Sequence, residues 1–174
     1  MHLLHLHVYY MQMHLMQEHQ MQKHALGFTA MDDDQLGAWR AFLNAHAHIT
    51  RRISRDLDDA GYPDLSWYDL LWALYSAPDR RLRVNELAKA VVLSPTAMSR
   101  FVSRVEEGGY IRRDVDPADR RAFQITITPA GIGLLKDMWP IYEKGIEEHF
   151  VTHLKEAERT RAMLEEMAAS AKEP

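Results

Sequence analysis

The chain has 174 residues, 47% hydrophobic and 26% charged, which suffices for one ordinary core beneath a solvated surface. It holds no cysteine, which excludes disulfides, thiolate metal sites and cysteine redox chemistry. The net charge of −4 speaks against a uniformly basic protein, yet Arg80 to Arg121 carries ten Arg/Lys against six Asp/Glu, leaving the remainder at −8.

Residues 1–30 stand apart as a His/Met/Gln-rich N-terminal extension, with six of the ten His, five of the ten Met and no Pro or Asp. Two readings stand: a functional segment of its own, or an extension upstream of a biological start at Met31. No apolar run approaches the roughly 18–20 residues that span a bilayer. The apolar first ten residues lack the basic flank and cleavage site of a signal peptide, so a cytoplasmic setting without a membrane partner is expected.

From Gln35, the residues Leu36, Trp39, Leu43, Ile49, Ile53 and Leu57 recur at three-to-four spacing, predicting an amphipathic helix that ends near Gly61-Tyr62-Pro63. A second helix runs from Leu65 to Ala77, with Ser66 as its expected cap and Pro78 beyond its end. The turn Asp79-Arg80-Arg81 leads into a short helix, about Asn85 to Val91. Ser94-Pro95 is a strong helix start, since Ser suits the cap and Pro the first helical position. That helix reaches Glu107 and stops at Gly108-Gly109, where glycine can adopt positive φ. Two strand-like runs, Tyr110–Val115 and Ala122–Ile127, are joined by Asp116–Arg121. Thr128-Pro129 opens a helix to about Phe150, and Thr152 is expected to begin the last one.

The order of helix, turn and helix at 82–107, followed by a hairpin, is where chemistry concentrates. Leu87, Ala88, Val91, Met98, Phe101, Val102 and Val105 fall on one packed face. Thr96, Ser99, Arg100, Ser103 and Arg104 fall on the other. Small hydroxyls beside two arginines suit a major groove, where Arg pairs bidentately with guanine. Any solvated helix can carry such residues, so the hairpin matters more. Asp119-Arg120-Arg121 lies between two strands, and exposed loop arginines are what narrow minor grooves attract. A neighbouring carboxylate can orient such an arginine.

Asp116-Pro117-Ala118-Asp119-Arg120-Arg121, followed by Ile125-Thr126-Ile127-Thr128-Pro129-Ala130-Gly131, resembles the wing signature of the MarR family of transcriptional regulators, with Ile127 where Leu is usual. Leu82-Arg83 through Leu87-Ala88, Leu93-Ser94-Pro95 and Gly109-Tyr110-Ile111-Arg112-Arg113 match the same pattern, and the resemblance covers about residues 35–170. It implies that helix 94–107 enters the major groove of double-stranded DNA through Ser94, Thr96, Ser99, Arg100 and Arg104, with Pro95 fixing the start. Arg120 or Arg121 would reach the minor groove, held by Asp119. Arg112 and Arg113 would serve phosphates or structural pairs.

The resemblance further implies a homodimer on a pseudo-palindromic site, with half-sites about 10 bp apart. Apolar material for it is present at Leu36, Trp39, Leu43 and Ile53, and again at Leu135, Trp139, Tyr142, Ile146, Phe150, Leu154, Leu164 and Met167. The expected fold class is therefore mainly α with a small β-hairpin wing. A winged helix-turn-helix domain at 63–128 is joined to a helical dimerisation domain built from the N-terminal helix 31–62 and the C-terminal helices 129–174. Family members often take small aromatic or phenolic effectors. Trp39, His46, Trp67, Tyr68 and Trp72 are candidates to line such a pocket, or else core aromatics.

No H-E-x-x-H, Gly-rich phosphate loop or Ser/His/Asp set is present, so neither an enzyme nor a cofactor is expected. His14 and His19 are five apart, about 140° around a helix, a poor chelating geometry, and no metal site is assigned. A metal-responsive regulator using His2, His5, His7, His14 and the Met11, Met13 and Met16 run is one alternative, since imidazole and thioether favour copper or zinc. A winged-helix adaptor that binds protein is another, and the basic bias of 80–121 argues against it.

Overall fold

The computed structural model describes residues 32–91, 95–115 and 123–171. In chain order these form α1 (Asp33–Asp59), α2 (Leu65–Ser76), β1 (Arg81–Arg83), α3 (Val84–Ala90), α4 (Pro95–Glu107), β2 (Ile111–Val115), β3 (Phe123–Ile127), α5 (Pro129–His149) and α6 (Ala157–Ser170). Single 3-10 turns lie at Pro78–Arg80 and Val151–His153. Two compact units divide within α1, between Ala45 and His46.

Helix α1 begins where Asp32 accepts the Gln35 N–H at 2.7 Å, with Asp33 and Asp34 complementing the positive helix end. Of its predicted apolar stripe, Ile53 and Leu57 are buried. Helix α2 is capped by Asp64, whose carboxylate accepts the Ser66 N–H at 2.9 Å. The sequence pointed to Ser66, but a cap must itself be extended, and Asp64 is (φ −64, ψ 167) while Ser66 lies inside the helix.

Beyond α2 the structure adds an element that the sequence reading lacked. Asp79 and Arg80 both take left-handed backbone angles (φ 54 and 56), and the chain then enters β1. β1 pairs antiparallel with β3 through Arg81↔Thr126, Leu82↔Ile125 and Arg83↔Gln124. β2 pairs with the other edge of β3, from Ile111↔Ile127 to Val115↔Phe123. The sheet is therefore three-stranded, in the order β1-β3-β2, rather than a lone hairpin. Three residues reading Arg-Leu-Arg are too short to reveal a period of two.

The core gathers beneath this sheet. Leu70, Leu71 and Leu74 of α2, Leu87 of α3, Met98, Val102 and Val105 of α4, Ile125 of β3 and Met138 of α5 are fully buried. Each such side chain contributes about 1.5–3 kcal/mol by leaving water. Turning from α4 into β2 needs Gly109 at φ +77, where the Gly109 and Tyr110 N–H groups close on the carbonyls of Glu106 and Val105.

Helix α5 begins as the Thr-Pro signal predicts. Thr128 Oγ1 accepts the Gly131 N–H at 3.1 Å and donates to the Gly109 carbonyl at 2.8 Å. Gly131 itself passes so close to β2 that a Cβ there would sit 2.2 Å from the Tyr110 carbonyl oxygen. Helix α6 starts at Ala157, not at Thr152 as expected. The Thr152 hydroxyl instead turns back to the Glu148 carbonyl at 2.9 Å, satisfying the end of α5.

Candidate nucleic-acid interface

Helix α3 is started by Glu86, whose carboxylate accepts the Arg83 N–H at 2.8 Å. It presents Leu87 and Ala88 to the core, and α4 presents Met98, Phe101, Val102 and Val105. With those positions consumed, the 3.6-residue period leaves Thr96, Ser99, Arg100 and Arg104 exposed on the outer face of α4. This is the face that the sequence assigned to recognition. Arg100 has no ion-pair partner among the described residues. The Arg104 guanidinium lies over the Phe101 ring, 5.3 Å from its centroid.

Ser103 differs from the other predicted contacts. Its hydroxyl donates to the Ser99 carbonyl at 3.2 Å and accepts from Arg113 Nη2 at 2.7 Å. Arg113 belongs to β2, and it also donates its backbone N–H to Glu106 Oε1 at 3.0 Å and places Nε 3.3 Å from Glu106 Oε2. On the other face of the ribbon, Arg112 Nε lies 2.9 Å from Asp114 Oδ2, and the Thr126 hydroxyl donates to the same oxygen at 2.8 Å. The Thr126 bond, then Arg112, holds the Asp114 carboxyl below the usual Asp range. Both arginines of β2 thus pair with carboxylates. Sequence alone hid the links of Arg113 to Glu106 and Ser103 because they join different elements. Strand alternation, which places Arg113 on the face of Ile111, was the available signal.

Ser94 and the wing turn with Asp119, Arg120 and Arg121 lie outside the described residues, as does the His/Met segment. β2 and β3, which carry the wing, are in register up to Val115↔Phe123. For Pro95, only its place at the start of α4 is described.

The aromatic candidates separate. Trp67 packs edge-on against Phe101 (6.1 Å) and Tyr110 (5.9 Å), tying α2 to α4 and the start of β2. Tyr68 and Trp72 face a groove of about 320 Å³ between α2 and α5, lined also by Tyr75, Ile132, Leu135, Lys136 and Trp139. Tyr68 meets Tyr142 edge-on at 4.7 Å, and burial raises the pKa of both phenols, so both stay protonated at neutral pH. Trp39 is exposed on α1 and stacks on Phe42 at 6.0 Å, while His46 lies exposed on the part of α1 that belongs to the second unit. The sequence reading missed Tyr75, Lys136 and Trp139, which share the groove only through the packing of α5 on α2. Among the described residues no helix is long and apolar enough to cross a membrane, and no three His, Asp or Glu cluster to hold a metal.

A short helix packed under a second helix with an exposed polar face, followed by a ribbon on a three-stranded sheet, defines a winged helix-turn-helix protein. The sequence pattern of the MarR family matches residues 60–122. The chain resembles that family over this stretch. It is similar to the HTH-type transcriptional regulator MhqR of Bacillus subtilis, 29% identical over 136 residues that cover 77% of this chain and 88% of that one. It is also 30% identical over 73 residues to the HTH-type transcriptional regulator BilQ of Clostridioides difficile, covering 42% of this chain and spanning about half, 49%, of that relative. Among solved structures it resembles Sco3205, a MarR family transcriptional regulator from Streptomyces coelicolor determined in complex with DNA. The TM-score is 0.74 at 27% identity, over 83% of this chain and 92% of that one.

Proposed function

We propose that this protein is a cytoplasmic transcriptional regulator that binds a pseudo-palindromic double-stranded DNA site as a homodimer. The observation that carries the reading is the two-faced helix α4. Its apolar side is consumed by the core, while Thr96, Ser99, Arg100 and Arg104 are exposed on its other side. In this reading α4 lies in the major groove with Arg100 and Arg104 on guanine edges or phosphates. Ser94 is a further DNA contact in this reading, and Pro95 fixes the start of the helix. Arg120 or Arg121, oriented by Asp119, enters the adjoining minor groove. The DNA complex of Sco3205 supports it by likeness.

The dimer is supported by apolar side chains left in water by a single chain. Phe150, Val151, Met163 and Met167 are exposed in one unit, and Trp39, Phe42 and Leu43 in the other. Ile53 and Leu135, also read as dimer material, are instead buried in the chain's own core. In the same reading the α2–α5 groove, whose size suits a small ligand, takes an aromatic or phenolic effector that releases DNA. Titrating phenols and aromatic acids against the tryptophan fluorescence of the native protein and of Trp72→Ala tests that part.

DNA binding is tested by enriching bound duplexes from a random library and measuring affinity against salt. Affinity is expected to fall steeply as counterions compete. Replacing Arg120 and Arg121 together by Ala is expected to remove most specific affinity while the protein stays a folded dimer. Unchanged affinity would refute the wing contact.

A further inference from the structure

We infer that Arg113 is a positioning residue that locks the wing to the recognition helix, so that both grooves are read by one rigid body. The inference rests on the DNA-binding reading and adds a residue that touches no base. β2 is an edge strand, and its outward Arg113 N–H would lack a ladder partner. Glu106 of α4 supplies one at 3.0 Å. The Arg113 guanidinium then returns to α4 twice, to Glu106 Oε2 at 3.3 Å and to Ser103 Oγ at 2.7 Å. Three contacts from one residue, spaced almost one helical turn apart on α4, fix both the distance and the twist between ribbon and helix.

The clamp also decides what Ser103 can offer DNA. A serine hydroxyl has one proton and two lone pairs. Here the proton goes to the Ser99 carbonyl and one lone pair to Arg113, so only acceptor capacity remains. Ser103 in this state can take a hydrogen bond from a cytosine or adenine amino group, and it cannot donate to a phosphate.

Electrostatics and positioning predict opposite signs for one substitution. Glu106→Gln removes a negative charge beside the proposed DNA surface, which by charge alone tightens binding to any duplex. It also replaces the acceptor of Arg113 Nε by an amide of the same shape, which by positioning weakens specific binding. The test compares wild type, Arg113→Ala and Glu106→Gln on an enriched duplex of about 30 bp and on a scrambled duplex of equal length, across salt. Circular dichroism melts check folding, and the near-isosteric Glu106→Gln carries the test should Arg113→Ala unfold.

Each variant is expected to lose about tenfold on the enriched duplex. Affinity for the scrambled one should stay within about threefold, and the salt slope of specific binding should not change. Equal losses on both duplexes with a slope smaller by about one would make Arg113 a phosphate contact and overturn the inference. Tighter binding by Glu106→Gln, or no change in either variant, would overturn it as well. If the wild type enriches no duplex, the DNA-binding reading falls and the clamp with it. If it enriches one and the variants match it, the clamp alone falls.

Discussion

Helices α4 and α6 are nearly the same length, 13 and 14 residues, and they meet opposite fates in one chain. α4 buries Met98, Phe101, Val102 and Val105 against α3 and the sheet. α6 buries no residue and leaves Met163 and Met167 about half exposed. Both helices carry apolar residues at helical spacing, so patterning does not separate them. What separates them is supply: the winged region provides its own partners, whereas α6 finds none among the described residues. An apolar stripe therefore marks a helix that needs cover, and only the tertiary structure tells whether the same chain provides it.

Substitutions on the two helices test that contrast. Met98→Ala in α4 should cost about 4 kcal/mol of folding stability, because a fully buried side chain leaves a cavity. Urea unfolding measures it, and a loss below about 1 kcal/mol would mean the core collapses around the site. Replacing Met163 and Met167 together by Asp should leave the melting of the winged region in place. It should convert a dimer to a monomer by light scattering and lower specific DNA affinity about a hundredfold, since one half-site remains per chain. Persistence of the dimer would remove α6 from the interface.

Smaller effects sharpen the account of the winged region itself. Gly131→Ala should cost about 2 kcal/mol by pushing α5 away from the Tyr110 carbonyl, whereas Gly133→Ala, with nothing near its Cβ, should be neutral or stabilising. Equal melts for the two would contradict the close approach. Asp114 is expected to titrate below the ordinary Asp value in the folded protein. Its pairing with Thr126 and Arg112 therefore helps stability above the ordinary Asp range and is lost as pH falls through the depressed value. Carboxyl NMR should show Thr126→Val moving this titration upward, because the first cause of the shift is removed; an unmoved value would assign it to Arg112.

Sequence legibility followed the range of the signals. The α4 faces, the Thr128 cap and the Gly109 stop depend on residues within a few positions of one another, and each lies where local chemistry placed it. Asp64 displaced Ser66, and α6 began late, because capping depends on which backbone groups are left unpaired. β1 escaped notice because its partner strand is distant in sequence. The α4 hydroxyls and arginines were legible as a face, but Ser103 could not be told from Ser99 until β2 brought Arg113 across to it.

The acceptance of the Arg113 N–H by Glu106 has a consequence for the protein's life in a crowded solution. An open sheet edge is a template on which another extended chain can add itself. On β2 the helix-borne carboxylate occupies one of the outward hydrogen-bonding positions, and the ion-paired Arg112 and Asp114 charge the adjoining surface. A stray strand would have to displace Glu106 before it could pair there. The contact that orients the wing thereby also guards the sheet against growing by one strand into an aggregate.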